Sequence, residues 1–346
     1  MQALILAGGR GTRLRPLTVY TPKPIVPVVN RPFLLYQLDV LRRADITDIT
    51  LSLSYQPDKI VQILGNGSEF GVNLRYITEP DPMGTGGAYK FAADAIRDTT
   101  VVFNGDILTN LDITKVIEAH RSKQSDAMIT LAHVPDPSRY GVVQLDDEGR
   151  VKRFEEKPGP EDLAALGTDT INAGIYVLEP SILDLVPKDT TRSFEYEIFP
   201  DILERGLPFH GYVIEDAYWI DIGTPASYLQ AHMDFLGGRI MGFEVERNAE
   251  SDIATRSEID QNSIIGPECI IKSGAKIINS VIATGVHIDE KAVVENSVIW
   301  PHTRISALAE IRGSVIGRSC YIGRNSVVSK DSAIGDKSTL TDYTHV

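Results

Sequence analysis

The residues with the clearest chemical meaning stand at the head of the chain. The run Leu6-Ala7-Gly8-Gly9-Arg10-Gly11-Thr12-Arg13-Leu14-Arg15-Pro16-Leu17-Thr18 is followed by Pro22-Lys23-Pro24. Glycines after a strand let backbone N–H groups come close to phosphate oxygens. Arg13 and Lys23 add fixed positive charge suited to a triphosphate. From Met1 to Leu38 there are five basic residues (Arg10, Arg13, Arg15, Lys23 and Arg31) and no acidic one; the first carboxylate is Asp39. The whole chain carries a net charge of −13. Such a local cationic excess marks a site for a small polyanion, while attraction to nucleic acid or an anionic membrane is not expected. The run is not a Walker A loop, because no Gly-Lys-Ser/Thr follows, and it is not the dinucleotide fingerprint GxGxxG.

Further candidates lie downstream. The apolar segment Val101–Asn104 ends in Gly105-Asp106, and a carboxylate at the carboxyl end of a strand opposite a phosphate loop is suited to Mg2+. Asp221 follows a second apolar segment, in Trp219-Ile220-Asp221-Ile222-Gly223-Thr224. By residue type alone either aspartate also fits a helix cap or a turn. Glu155-Glu156-Lys157-Pro158 reads as a solvated charged loop. Asn172-Ala173-Gly174 and Tyr140-Gly141-Val142 read as turns leading into strands.

Taken together these motifs resemble the sugar-1-phosphate nucleotidyltransferases, and within that family the pattern is most similar to the mannose-1-phosphate guanylyltransferases. The resemblance covers nearly the whole chain. It implies a Rossmann-like nucleotidyltransferase domain with a mixed, mostly parallel sheet, followed by a left-handed parallel β-helix. It also implies Mg2+ as cofactor, with a nucleoside triphosphate and a sugar 1-phosphate as substrates. Leu6, Ala7, Gly8, Gly9, Gly11, Thr12, Arg13, Gly84, Gly86, Gly87, Asn104 and Gly105 would then bind the nucleotide. Asp106 and Asp221 would hold the metal. Gly141, Glu156, Lys157, Asn172 and Trp219 would bind the sugar phosphate, with Arg13, Lys23 and Lys157 catalytic. The segment Pro82-Met83-Gly84-Thr85-Gly86-Gly87-Ala88 resembles the loop that approaches base and ribose. Thymidylyl- and uridylyltransferases carry a glutamine before it, whereas this chain has Glu79-Pro80-Asp81-Pro82, a departure that favours guanine.

The chemistry expected is an in-line displacement by a phosphate oxygen of the sugar 1-phosphate at the α-phosphorus. The attacking oxygen is already ionised at neutral pH, so catalysis comes from alignment and charge stabilisation. Alternatives are a glucose-1-phosphate nucleotidyltransferase using dTTP, UTP or ATP, and a regulatory paralogue that binds a nucleotide sugar without turnover. A third is an acyltransferase acting through His287 or His302 of the C-terminal repeat.

The elements that must position these residues follow from the pattern. Gln2–Ala7, Ile49–Ser54, Leu74–Thr78, Thr100–Asn104, Ala127–His133 and Ala173–Leu178 read as strands, and Phe33–Ala44, Ala88–Arg97 and Ile113–Ser122 as helices. Strand–helix alternation predicts an α/β domain with its site beyond the carboxyl ends of the strands. From about Asp252 a 17-residue period aligns Asn262, Asn279, Asn296 and Gly313, and aliphatic residues recur in steps of six, six and five. That is a hexapeptide repeat, the signature of a triangular β-helix. The Asn/Gly column suits left-handed corners, and the last coil departs from the period. The expected division is 1–236 catalytic, 237–251 linker and 252–346 β-helix, with self-association into a homo-oligomer.

Cys269 and Cys320 are 51 residues apart, hence three coils, or about 14 Å. This is beyond the ~7 Å reach of a disulfide, so two free thiols are expected. The N-terminus lacks a basic signal region and no run is long enough to span a membrane, so a cytoplasmic protein is expected.

Overall fold

Alternating apolar runs in the first two-thirds of the chain assemble, in a computed structural model, into one nine-stranded sheet. The structure describes residues 1–246 and 249–346; Arg247 and Asn248, within the expected linker 237–251, lie outside the described residues. Two compact units form. One comprises Met1–Gly9 and Tyr36–Trp219, the other Arg10–Leu35 and Ile220–Val346. These units cut the chain differently from a division by sequence pattern, because the Arg10–Leu35 segment folds in the same unit as the C-terminal repeat.

In the first unit, β1 (Gln2–Leu6), β2 (Asp48–Leu53), β3 (Asn73–Thr78) and β4 (Thr100–Asn104) run parallel, in the order β3-β2-β1-β4. The sheet continues antiparallel from β4 into β8 (Thr170–Leu178), which also pairs with β5 (Ala127–His133) and β6 (Gly141–Leu145). β7 (Val151–Glu156) pairs with β6, and β9 (Phe209–Val213) with β5. Helices α1 (Leu34–Arg43), α2 (Pro57–Leu64), α3 (Gly84–Phe91), α4 (Ile113–Ser122), α5 (Pro160–Leu166) and α6 (Phe199–Glu204) accompany it. Below one sheet face Phe194, Phe199, Tyr176, Phe154 and Phe209 form an aromatic cluster with ring centroids 5.2–5.5 Å apart.

One expectation is corrected. The helix expected at Ala88–Arg97 begins at Gly84, ends at Phe91, and gives way to a short turn at Ala93–Ala95. The Gly-Thr-Gly-Gly run is thus the helix's first turn. Its poor helix propensity is overridden by packing, since a Cβ at Gly87 would lie 2.6 Å from Thr190 O, and one at Gly84 would collide with Arg192 O.

In the second unit the repeat forms a three-sided parallel β-helix with sheets of six, five and five strands. Ile265, Ile282, Ile299 and Ile316 stack inward with Ile271, Ile288, Ile305 and Ile322. Middle coils advance 17 residues, as Ile264↔Val281 and Val281↔Val298 show, whereas Asp252↔Ile270 and Val315↔Ala333 advance 18. The last coil therefore departs from the 17-residue period, as expected, and does so by keeping three full six-residue sides. The middle coils drop one residue at a tight corner where Asn279, Asn296 and Gly313 take φ of 45°, 49° and 57°. Asn262 instead falls on a six-residue side. Next to this column Ser263, Ser280 and Ser297 each accept, at 3.1 Å, the N–H of the serine one coil on. Cys269 and Cys320 are free and buried, as expected.

Ile264, Val281, Val298 and Val315 alternate with inner residues and so point outward, yet none is more than 2% exposed. Strands apolar on both faces need cover on both. Helix α7 (Pro225–Leu236) and the Arg10–Leu35 segment supply it. Asn30 Nδ2 donates to Ile282 O at 3.0 Å, Trp300 Nε1 donates to Tyr228 Oη at 3.0 Å, and Tyr228 Oη donates to Pro27 O. Helix α7 starts from a capping box of Thr224 and Ser227. Its His232 is fully buried, with Nδ1 2.9 Å from Tyr228 O and Nε2 unpartnered. Burial pushes this imidazole down to about 4 from 6.5.

The unfolded chain thus binds the extra proton first. The stability contributed by neutral His232 is complete above pH 6.5 and is lost as pH falls toward 4. The loss approaches about 1.4 kcal/mol per pH unit, about 3 kcal/mol in all. Thermal melts between pH 7 and 4.5 are expected to show this slope, and His232→Leu is expected to flatten it.

Candidate functional site

At the carboxyl edge of the parallel strands Leu6 lies in register with both Ser52 and Asn104. The chain leaving each strand meets there. Ala7 N donates to Ser52 O, and Gly105 N to Leu6 O, both at 2.9 Å. A Cβ at Gly8 would lie 2.9 Å from Glu79 Oε1. Glu79 is buried, accepts from Ser52 Oγ at 2.8 Å and from Met83 N at 3.1 Å, and so braces the loop leading to α3. The glutamate that set this chain apart in sequence is thus engaged with its own backbone. Gly86 and Gly87 are likewise buried beneath residues 190–193, while Gly84 and Gly9 are exposed.

The Asn104–Ile107 turn carries Asp106. Gln37 of α1, 2% exposed, donates through Nε2 to Asn104 O at 3.0 Å and to Ile107 O at 2.9 Å. Asn104 Nδ2 donates to Tyr176 Oη at 3.4 Å, and Asn172 Nδ2 to the same oxygen at 2.9 Å. Asn104 Oδ1 and Gln37 Oε1 are buried acceptors without a partner. Sequence reasoning missed Gln37, because one glutamine in an amphipathic helix carries no signal until its carbonyl partners are known. Gln37→Leu would orphan two carbonyls at about 1–3 kcal/mol each. It is expected to lower both the melting temperature and, about tenfold, turnover, because a small misplacement of the Asp106 turn is amplified in rate; denaturation and steady-state assays check this.

β7 ends at Glu156, in register with Gly141 of β6. A Cβ on Gly141 would lie 2.8 Å from Glu156 Oε2. The next residue, Lys157, takes φ of 49°, a conformation that costs energy in a non-glycine residue and concentrates at functional sites. Lys157 Nζ lies 3.2 Å from Glu156 Oε1, and Lys157 is the exposed partner. Burial lifts the Glu156 carboxyl above its ordinary range, with Lys157 opposing and Glu195 adding to the rise. The segment expected as a loop is therefore a strand end that presents an ammonium. Trp219 Nε1 donates to Ala173 O at 2.8 Å, and its ring meets Tyr140 edge-on at 6.0 Å. Asn172 Oδ1 accepts from Gly174 N at 2.9 Å, so its side chain shapes the irregularity in β8.

The second unit holds the remaining candidates. Gly11, at φ 60°, allows Lys23 to approach: a Cβ at Gly11 would lie 3.2 Å from Lys23 Cβ. Thr12–Leu14 forms a single turn that leaves Arg13 exposed, while Lys23 is 9% exposed. Arg13 and Asp221 converge on Gly223, where a Cβ would lie 2.9 Å from Asp221 Oδ2 and 3.1 Å from Arg13 Nη2. His302 packs on Gly285 at a corner of the repeat, and His287 stands in register between Ile270 and Arg304.

Among the described residues no group of three or more His, Cys, Asp or Glu forms a metal cage. The donors present fit an ion that takes one or two carboxylates and fills its other positions with phosphate and water oxygens, as Mg2+ does. One observation within the second unit agrees with that fit: the side-chain-free cradle at Gly223 beside Asp221.

Comparison with known proteins shows the family and the fold. The nucleotidyl transferase family model matches residues 2–237, and that of the EIF2B subunit epsilon LbH domain, a left-handed β-helix, matches residues 244–346. A mannose-1-phosphate guanylyltransferase of Mycobacterium tuberculosis is 36% identical over 85% of this chain and 83% of that protein. A UTP–glucose-1-phosphate uridylyltransferase of Synechocystis is 34% identical over 100% of this chain and 94% of that protein. The crystal structure of HddC from Yersinia pseudotuberculosis superposes with a TM-score of 0.58 at 36% identity, over 68% of this chain and 99% of that one. The chain therefore belongs to the nucleotidyl transferase family, as an enzyme whose Rossmann-like catalytic part is followed by a left-handed parallel β-helix.

Proposed function

We propose that the enzyme transfers a guanylyl group from GTP to mannose 1-phosphate, releasing pyrophosphate and forming GDP-mannose. The observation that carries the transfer chemistry is the convergence of Arg13 and Asp221 on Gly223, one cation for phosphate beside one carboxylate for a metal. Support for guanine and mannose comes from the M. tuberculosis relative. Glu79 supports it less than its position in the motif implied, since its carboxylate is engaged by Ser52 and Met83.

In this reading Arg13 and Lys23 bind the triphosphate and stabilise charge that develops as pyrophosphate leaves. Leu6–Gly9, Gly11, Thr12, Asn104 and Gly105 line the nucleotide, with Gly84, Gly86 and Gly87 shaping the base side. Lys157 holds the attacking phosphate, and Glu156, Gly141, Asn172 and Trp219 orient the sugar. Asp106 and Asp221 would hold Mg2+, which when bound neutralises phosphate charge and orients the reacting groups. No side chain need remove a proton from the nucleophile.

Assembly into a homo-oligomer and a cytoplasmic setting belong to the same reading. Among the described residues no helix is long and apolar enough to cross a membrane. The test is pyrophosphate release across GTP, ATP, dTTP, UTP and CTP against mannose-, glucose- and N-acetylglucosamine-1-phosphate. GTP with mannose 1-phosphate is expected to lead. Preference for UTP with glucose 1-phosphate would replace this assignment, and no release with any pair would favour a binding paralogue.

A further inference from the structure

The segment linking Arg13 to Lys23 touches the β-helix at one corner of the last coil, residue by residue. A Cβ at Gly335 would lie 3.0 Å from Pro16 Cβ. Asp336 Oδ2 accepts from Thr21 Oγ1 at 3.4 Å. Lys337 Nζ stands 5.1 Å from the centroid of the Tyr20 ring, within cation–π range. Three consecutive residues of one strip thus meet the stretch Pro16–Thr21.

The corner is itself tied down. Asp336 Oδ1 accepts from Arg318 N at 2.8 Å, one coil earlier. Gly317 lies beneath it, where a Cβ would come within 2.7 Å of Asp336 N. This corner follows the extra residue of the 18-residue coil, which falls between Val328 and Ala333. On the other side the segment is a chain of tight turns. Leu14 N donates to Gly11 O at 3.1 Å, Val19 N to Pro16 O at 3.3 Å and Ile25 N to Pro22 O at 3.0 Å. Thr18 and Thr21 are buried. A displacement at Pro16–Thr21 is therefore passed to Arg13 at one end and Lys23 at the other, with little slack to absorb it.

We propose that the Gly335–Lys337 corner is a positioning element for the triphosphate grip, with Asp336 its central positioning residue. The β-helix then has a role within a single chain besides any part in assembly: it holds the strip on which Arg13 and Lys23 are mounted. The proposal rests on the reading of Arg13 and Lys23 as triphosphate ligands.

The test uses the full-length enzyme. Gly335→Leu drives a wedge against Pro16. Thr21→Val removes the hydroxyl at nearly constant volume, Asp336→Ala removes its acceptor, and Thr21→Ser restores a hydroxyl. Two readouts are taken: amide hydrogen exchange in peptides covering residues 12–26 without substrate, and KM for the preferred nucleoside triphosphate against KM for the sugar phosphate. Gly335→Leu, Thr21→Val and Asp336→Ala are each expected to speed that exchange and to raise the triphosphate KM about tenfold, leaving the sugar-phosphate KM within about twofold. Thr21→Ser is expected to stay near wild type. Thr21→Val with Asp336→Ala should be no worse than the worse single change, since both remove one contact.

Unchanged exchange and unchanged triphosphate KM in Gly335→Leu would overturn the proposal. Arg13→Ala and Lys23→Met separate the layers. If both leave turnover intact, the grip reading fails and exchange alone judges the brace. If they cripple turnover while exchange and the triphosphate KM in Gly335→Leu are both unchanged, the grip stands and the brace falls.

Discussion

Asp221→Asn is expected to lower turnover by about 10²–10³-fold, the usual cost of removing one charge-stabilising group from a polar transition state. The exchange keeps shape and one acceptor oxygen, so the loss reports charge. Asp221 is only partly buried, so no large change in melting temperature is expected. Its carboxylate and the Arg13 guanidinium border the same space, where a Cβ on Gly223 would stand, which offers an internal check. If Asp221 only neutralised Arg13, Asp221→Asn combined with Arg13→Ala would be no worse than Arg13→Ala alone. If each group handles a different part of a metal-bound triphosphate, the double change is expected to be more damaging than either. Gly223→Ala, which puts a methyl between the two, is expected to cost at least about tenfold. A Mg2+ titration completes the test: Asp221→Asn with unaltered metal dependence and most of its turnover would remove Asp221 from the metal site.

The second large effect concerns stability. Trp300 is 0% exposed and is among the largest fully buried side chains. Its indole N–H donates to Tyr228 Oη, which donates in turn to Pro27 O. It therefore joins the repeat, helix α7 and the Arg10–Leu35 segment. Trp300→Ala is expected to destabilise the protein by about 3–5 kcal/mol, through lost burial and the cavity left behind. Trp300→Phe keeps most of the packing and removes the donor, so about 1–2 kcal/mol is expected, the cost of a lost buried hydrogen bond. Chemical denaturation of the two variants measures both figures. A loss below about 1 kcal/mol for Trp300→Ala would show that the helix and the segment are held by other contacts.

The family and the repeat were legible in residue order because their motifs depend on local geometry. Glycines after an apolar strand, an aspartate at the end of another and an aliphatic residue every sixth position each follow from contacts within a few residues. The left-handed corners at Asn279, Asn296 and Gly313 were legible for the same reason. Three things were not. The Gly-Thr-Gly-Gly run is helical because the backbone of residues 190–193 lies against it, a partner about a hundred residues away. Glu156–Lys157 is a strand end with a strained lysine, because β6 supplies the pairing partner. Glu79, whose identity in the motif favours guanine, is engaged by Ser52 and Met83.

What order alone determined was the set of chemical groups and the periods of the elements that carry them. Tertiary structure decided which groups share a support. The glycine-rich Arg10–Leu35 segment follows β1 in sequence, yet it folds with the β-helix far along the chain, because the outward Ile264, Val281, Val298 and Val315 of that repeat need a cover and residues 10–35 help to provide one. Burial of apolar area is indifferent to separation along the chain, so periodicity could predict the face but not what would lie on it.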